Sequence, residues 1–307
     1  MTSRTRAGFT IAELLLSMTI GLTVIMSAGA FASASWKTRR GWTVRESVDR
    51  NARFLGLSIA RDVQEAGIAI ESTPVFGSLG TFNDTLSVLS VPYTPNEAPA
   101  YAIYNDGDTL PNYPPGGNCG ATCIEFVKQG STIALSGGDL TRLQVGTSRR
   151  LLLLTSVNDQ GNGRFRVSFL DTKLMLGRQS GLDSLLLTRS GTTIQKLNAV
   201  VYWRDAGSHS LFRAIALDGG GHPVGQLMAG NVMNFHATLL FTNGSEFTAY
   251  NGFDSDTLND ANDIIGTKVR AQIQSDRTDP SVNSGQPVLR WYEWKVAPRN
   301  LLYEKNR

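Results

Sequence analysis

The chain has 307 residues, and its 41% apolar content is enough for an ordinary folded core in one or two domains. Twenty-nine Lys and Arg residues against 26 Asp and Glu residues give a formal net charge of +3. Such a near-neutral balance excludes a strong electrostatic case for nucleic-acid binding, so we expect no nucleic-acid partner.

The N-terminal region is one long apolar run. It extends to Trp36 behind a short leader that carries Arg4 and Arg6, and its only charged residue is Glu13. As a helix the range 9–36 would be about 42 Å long, more than the ~30 Å hydrocarbon core of a bilayer. The far end of a membrane-spanning helix must therefore leave the bilayer. An ionisable residue inside such a helix costs ~2.5–3.5 kcal/mol, so Glu13 indicates a partner or a function.

Besides a membrane-spanning helix in which Glu13 has a partner or a function, two other kinds of N-terminal segment fit this sequence. A basic start followed by small-residue triplets such as Ala32-Ser33-Ala34 is also typical of a cleavable secretory signal. That reading is disfavoured because the apolar run is longer than the usual ~7–15 residues and contains Glu13. A plain single-pass membrane anchor is the third alternative.

The helical pattern continues beyond Trp36. Apolar residues recur at helical spacing up to Val63, and Gly67 is a candidate cap, which predicts one helix over 9–65. Gly21, Gly29 and Gly41 are candidate bend points. After the helix, turn residues separate short β-like runs, and the range 158–163 is a hairpin-type loop. Strands are predicted at 85–91, 151–157, 164–170, 194–203, 210–217, 232–241, 246–250, 268–274 and 289–296, whereas 72–146 is predicted to be an irregular insertion.

A long helix with an apolar stripe and a set of alternating strands predict an α+β fold, in which the outer half of the helix packs on an antiparallel sheet. The expected segments are a leader (1–8), a transmembrane and assembly half of the helix (9–36), an amphipathic outer half (37–67) and a β-rich head (68–307).

Few residues form recognisable chemical sites. Cys119 and Cys123 lie in a Pro- and Gly-rich segment, and a local disulfide is favoured if this part is exported. Two free thiols or a metal site are the alternatives, although a lone C-x3-C pair is a poor zinc signal.

The run 254–263 is rich in oxygen ligands and gives weak calcium candidates, but it fails the EF-hand pattern and equally fits a solvated loop with Asx turns. These candidates are Asp254, Asp256, Asp260 and Asp263. No catalytic motif occurs, so we expect no enzyme activity and no cofactor.

The N-terminus resembles that of type IV prepilins. The residues that carry the resemblance are Gly8-Phe9-Thr10 and Glu13 behind the basic leader. The resemblance implies that prepilin peptidase cuts between Gly8 and Phe9 and that Phe9 becomes the N-methylated first residue. It also implies that Glu13 meets the Phe9 ammonium of a neighbouring subunit within the membrane, where pairing offsets the cost of burying each charge.

Two further segments resemble the PilW family of minor pilins. One is the helix end with Arg61-Asp62 and Ala66-Gly67; the other is the pair of runs Val200-Val201-Tyr202-Trp203 and Ser210-Leu211-Phe212-Arg213. The final strand departs from the family, because Pro298 precedes Arg299-Asn300. The J-type minor pseudopilins of type II secretion share the helix-end pattern and are the nearest rival.

The resemblance implies a minor pilin with a pilin-like fold and an enlarged head that initiates or caps a type IV pilus. Its expected partners are prepilin peptidase, other minor and major pilins, the inner membrane and a pilus-tip adhesin. An alternative is that the chain is itself the tip adhesin. The expected location is the inner membrane as a single-pass protein with its head outside the cytoplasm, and then the pilus at the cell surface. Lys37, Arg39 and Arg40 follow the apolar run, although the cytoplasmic side is usually the positive one, so this orientation depends on the prepilin pattern.

Overall fold

The computed structural model describes residues 10–68, 70, 72–74, 76–82, 84–92, 100–104, 108–110, 123–127, 134–146, 148–171, 185–187, 191–218, 222–252, 254–280 and 282–299. The chain divides into two compact units. One comprises Met1–Arg50 and Gln274–Leu289, and the other comprises Asn51–Ile273 and Arg290–Arg307.

A single helix, α1, runs from Ile11 to Gln64. No proline interrupts it, and Gly21, Gly29 and Gly41 do not break it. The helix ends because Gly67 adopts a left-handed backbone with φ of 78°; this conformation is strained for a residue with a side chain and common just beyond helix ends. The amide of Gly67 then donates to the carbonyl of Leu89 at 3.0 Å.

In the first unit, α1 is accompanied by the segment Gln274–Leu289. Val44 and Val48 are buried on the helix, whereas the stretch from 10 to 40 exposes all its side chains except the half-buried Gly21. Gly41 is also buried, and a Cβ added there would lie 3.1 Å from the side chain of Val282. The helix therefore gains its first packing partner in this unit at Gly41.

Sixteen strands follow the helix within the described residues and are numbered in chain order. They are β1 Leu79–Phe82, β2 Thr85–Ser90, β3 Ala100–Ile103, β4 Asp108–Leu110, β5 Cys123–Val127, β6 Leu140–Val145, β7 Ser148–Gly161, β8 Arg164–Asp171, β9 Leu185–Leu187, β10 Thr192–Asp205, β11 Ser210–Leu217, β12 Pro223–Ala229, β13 Val232–Phe241, β14 Glu246–Phe247, β15 Ile264–Gln274 and β16 Leu289–Val296. Short 3-10 turns occupy Ala261–Asp263 and Asn283–Gly285.

Strand β10 is the central element of the larger sheet. Its C-terminal half pairs on one side with β2 and on the other with β11, which extends the sheet to β1 and β12. Its N-terminal half pairs on one side with β3 and on the other with β6. One strand therefore belongs to two substructures.

The second substructure is a closed six-stranded antiparallel barrel. Starting from β10, the ring passes through β3, β5, β8, β7 and β6 and returns to β10. Its interior is filled by large apolar side chains contributed by all six strands, which are Tyr101, Ile103, Ile124, Phe126, Leu143, Leu152, Leu154, Val167, Phe169 and Ile194. Closure leaves no unpaired edge along the ring, and the filled interior makes it a packed core and not a channel.

The hairpin between β7 and β8 lies where a loop was predicted, but residues 158–161 belong to β7, so the connection is only two residues long. Asn162 and Gly163 connect the strands with φ of 55° and 72°. Two consecutive residues with positive φ give the turn that matches the right-handed twist of paired strands, and an Asn-Gly sequence adopts it readily.

A separate four-stranded sheet has the order β14-β13-β15-β16. The part of α1 in the second unit buries Ala52, Leu55, Ile59 and Val63. Gly56 lies directly against the indole of Trp294 on β16, where an added Cβ would come within 2.3 Å of Nε1. The outer end of the helix thus packs on the β-rich part of this unit, consistent with the predicted α+β layout.

The structure corrects one prediction. The range 72–146 is not an irregular insertion, because it contains β1 to β6, and β3, β5 and β6 form half of the barrel. Of these, β2 matches the predicted strand at 85–91. The other five are three to six residues long and alternate with turn residues, so each has too few positions to show a period. The predicted strands at 210–217, 232–241 and 289–296 coincide with β11, β13 and β16.

Candidate functional site

The first functional candidate is the exposed N-terminal half of α1. Within the described residues, α1 is the one helix long and apolar enough to cross a membrane, and its most apolar window has no buried residue. The large apolar side chains exposed on it are Ile11, Leu14, Leu15, Leu16, Met18, Ile20, Leu22, Val24, Ile25, Met26 and Phe31. A surface of this length and composition is consistent with a single-pass membrane anchor.

Glu13 takes part in a capping arrangement at the start of this helix. The backbone N–H and the hydroxyl of Thr10 both donate to Glu13 Oε2 at 3.0 Å, and the Glu13 N–H donates to Thr10 Oγ1 at 3.3 Å. This reciprocal pattern is a capping box, which satisfies backbone donors that the first helical turn leaves unpaired. The signal was present in the sequence as Thr-x-x-Glu. Gly8 and Phe9, the predicted cleavage and methylation residues, lie outside the described residues.

At the other end of the helix, Asp62 is the centre of a buried polar network. Arg213 donates to both carboxylate oxygens, from Nε to Oδ2 at 2.7 Å and from Nη2 to Oδ1 at 2.9 Å, while Tyr202 donates from its hydroxyl to Oδ2 at 2.5 Å. Burial, together with the hydrogen bond to Asp62 and its charge, raises the pKa of Tyr202. The hydrogen bond from Arg213 to Asp62 likewise raises the pKa of Arg213.

This network joins three sequence motifs that lie far apart in the chain. Asp62 comes from the Arg-Asp helix end, Tyr202 from the tyrosine-containing strand β10, and Arg213 from β11, where it pairs in register with Tyr202. Each motif is short and weakly specific in the sequence. Together they place two donors on one carboxylate, which fixes the end of α1 to the centre of the larger sheet.

A second buried carboxylate lies on the barrel. Glu125 of β5 accepts hydrogen bonds from Arg166 at 2.8 Å and from Arg164 Nε at 2.8 Å, both on β8. Desolvation opposes ionisation, but the hydrogen bonds and charges of the two arginines outweigh it and lower the pKa of Glu125. The pair of ion contacts stabilises the β5–β8 junction of the ring.

Of the two cysteines in the predicted disulfide, the described residues include only Cys123. Cys123 begins β5, is buried, and is disulfide-bonded. Cys119 lies outside the described residues, so the pairing of the two stays a prediction.

The aspartate-rich segment forms a hydrogen-bonded loop. Asp254 Oδ1 accepts the N–H of Asp256 at 3.0 Å, and Asp256 Oδ1 accepts the N–H of Leu258 at 2.9 Å, the geometry of Asx turns. Burial raises the pKa of Asp260, and the neighbouring charges of Asp263, Asp254 and Asp256 raise it further. Across the described ranges, no group of three or more His, Cys, Asp or Glu side chains is placed to hold a metal ion.

The three histidines occupy separate places. His209 contacts Arg204 at 3.1 Å, His222 contacts Asp218 at 3.2 Å, and His236 contacts Asp84 at 2.5 Å. None of these contacts includes a serine or cysteine nucleophile. They are exposed surface pairs.

Comparison with known proteins gives no family assignment. No family model, no curated protein and no solved structure matches this chain. The functional argument therefore rests on the residues themselves.

Proposed function

We propose that this chain is a minor pilin, similar to the PilW family, that acts in type IV pilus assembly as part of an initiation or tip complex. The observation that carries the proposal is the exposed apolar half of α1, which begins at a capped N-terminus and has Glu13 as its one charge before Lys37. A helix of this kind serves both as a membrane anchor and as a packing surface for other subunits.

The proposed mechanism is assembly and involves no catalytic turnover. Prepilin peptidase cleaves after Gly8 and methylates the new N-terminus at Phe9. The subunit stays in the inner membrane with its head outside the cytoplasm until it joins the filament. Because a carboxylate and an ammonium buried together cost less than either alone, an unpaired Glu13 favours the position where it meets the Phe9 ammonium of a neighbouring subunit.

The capping box involves only one of the two carboxylate oxygens of Glu13. Thr10 occupies one oxygen, Oε2, through two hydrogen bonds. A carboxylate has about four acceptor positions, so Oε1 remains available for a second partner. Glu13 can therefore order the first helical turn and, at the same time, form an ion pair with the ammonium group of another chain.

The nearest alternative is a J-type minor pseudopilin of type II secretion, which would use the same anchor and the same Glu13 chemistry. The head, with its added barrel, favours the pilus over that smaller class. Deleting the gene and assaying both piliation and secretion separates the two, since loss of secretion with normal pili would contradict the pilus assignment.

The decisive test is the N-terminus of protein purified from its native membranes, determined by intact mass and peptide mapping. The expected chain starts at N-methylated Phe9. A start near Ala34 would identify an ordinary secreted protein, and an uncleaved leader would identify a plain anchor; either result contradicts the proposal. Gly8→Ala should leave the leader attached, whereas Gly21→Ala, which adds a methyl into open space, should be processed normally.

A further inference from the structure

The helix carries three closely spaced basic residues to which the proposed assembly mechanism gives no role. Lys37, Arg39 and Arg40 are all exposed, and no acidic residue lies between Glu13 and Glu46 in the sequence. In the described part of the chain, no carboxylate forms an ion pair with any of the three. Their charge is therefore not compensated within the described part of the chain, and all three side chains are accessible to an anion from outside it.

The position along the helix matches a membrane surface. From Ile11 to Trp36 the helix rises about 39 Å, compared with about 30 Å for the hydrocarbon core and about 40–45 Å for the bilayer with its headgroups. A span that begins at Ile11 in one interface therefore brings Lys37 and its neighbours into the opposite headgroup layer.

Tryptophans flank the charged residues. Trp36 and Trp42 are 69% and 71% exposed. Tryptophan is enriched where the bilayer meets water, because its ring is apolar and its N–H is polar. The indole of Trp36 lies beside the side chains of Lys37 and Arg40. These three residues line a cleft of about 410 Å³ together with Ala32 and Ser33.

The angular distribution separates a lipid from a protein partner. Successive helical residues differ by about 100°, so Lys37, Arg39 and Arg40 point in three different directions around the axis. A docked protein would cover one side of the helix, whereas lipid headgroups surround it.

We propose that Lys37, Arg39 and Arg40, with Trp36, form a collar that binds the headgroups of anionic phospholipids at the membrane surface on the head side of the span. This inference rests on the proposed function for its orientation. It identifies a lipid as a further partner and gives the basic residues a role: they fix the depth of the stored subunit and oppose its extraction until the filament replaces the lipid contacts.

The test uses the purified full chain in a neutral detergent, titrated with short-chain phosphatidylglycerol or phosphatidylcholine and followed by tryptophan fluorescence. Each basic side chain near an anionic surface strengthens binding about fivefold, so K37Q/R39Q/R40Q should bind phosphatidylglycerol about 100-fold more weakly at low salt. The matched control R45Q/R50Q removes two arginines farther along the same helix and should bind as the wild type does.

Three outcomes would overturn the proposal. These are equal binding of both lipids, unchanged phosphatidylglycerol binding by the triple variant, or an equal loss in the control. Inorganic phosphate is titrated as a third ligand, and saturable binding of phosphate alone would also overturn the lipid assignment in favour of a free anion. The titration does not depend on leader cleavage or filament assembly, so its failure would leave those proposals standing. An uncleaved leader would contradict the pilin proposal but leave the expected titration unchanged, whereas a chain that starts near Ala34 would lack the span and contradict both.

Discussion

Tyr202 donates a hydrogen bond of 2.5 Å to Asp62, a residue 140 positions earlier in the chain. The contact joins the last turn of α1 to the C-terminal half of β10, the strand shared by the larger sheet and the barrel. Arg213 completes the pairing from β11. The orientation of the helix end in this unit therefore depends on one buried carboxylate.

Asp62→Ala should destabilise the head by about 3 kcal/mol, because it leaves the Arg213 guanidinium without its partner in a poorly solvated place. Tyr202→Phe removes one hydrogen bond to a charged group and should cost about 1.5 kcal/mol. Urea unfolding of the full chain in mild detergent, followed by tryptophan fluorescence, measures both. A Tyr202→Phe variant less stable than Asp62→Ala would place the network's centre elsewhere.

Alkaline pH should reduce the free energy of unfolding through the same tyrosine, because its phenol ionises more readily in the unfolded chain than in the fold. The pKa of Tyr202 is raised in the folded state, so the stability associated with its neutral phenol is fully present below the unfolded value of about 10 and falls as the pH rises above it. The wild type should then lose about 1.4 kcal/mol per pH unit more than Tyr202→Phe. If the free energies of unfolding of the two proteins fall in parallel between pH 9 and 11.5, Tyr202 has the same pKa in the folded and unfolded states, which would contradict the prediction.

The capping box permits a separation of the two roles of Glu13. Thr10→Ala removes the hydroxyl but keeps the Glu13 charge, and should cost the helix about 1 kcal/mol without blocking assembly. Glu13→Gln keeps an oxygen for the Thr10 amide but removes the charge, and should reduce incorporation into filaments at least about tenfold, the factor for 1.4 kcal/mol. Filament incorporation is quantified by immunoblotting sheared pili. Equal defects in both variants would mean that capping alone explains the residue.

Gly56 should not tolerate a side chain. Gly56→Ala places a methyl 2.3 Å from Trp294 Nε1 and should destabilise the unit by about 1–3 kcal/mol despite the better helix propensity of alanine. Gly29→Ala, in the same helix with nothing within 4 Å, is the control and should be neutral or slightly stabilising. Denaturant midpoints of the two variants compare them directly, and a stable Gly56→Ala protein would show that Trp294 can move aside.

The barrel core should behave as one packed unit. Phe126 is fully buried among the residues of the ring, so Phe126→Ala should cost about 3–5 kcal/mol through lost burial and the cavity left behind. Phe82→Ala is the matched control, because Phe82 is 68% exposed and its loss should change stability by no more than about 0.5 kcal/mol. A small effect at Phe126 would mean that the ring is loosely packed.

The elements that could be predicted are those with a local signal. The helix is continuous because its sequence has a capping box, no proline and an apolar period, and the β7–β8 hairpin is signalled by Asn162-Gly163. The closed barrel has no such signal, since closure requires Ile194 of β10 to pair with Tyr101 on one side and Leu143 on the other. Neither partner is near in sequence. The Asp62, Tyr202 and Arg213 motifs were recognisable separately, but their convergence depends on register between distant strands.

The placement of β10 also determines how the head can fold. Asn198 pairs with Ser90, and β3 to β9 lie between the two strands in the chain. Closing so long a loop costs entropy before any contact rewards it, and folds dominated by distant pairings form slowly. In the exported subunit that we propose, the head would spend that time with unpaired strands while its N-terminal helix is already in the membrane. Folding of the head, and not insertion of the helix, would then limit how fast folded subunits accumulate.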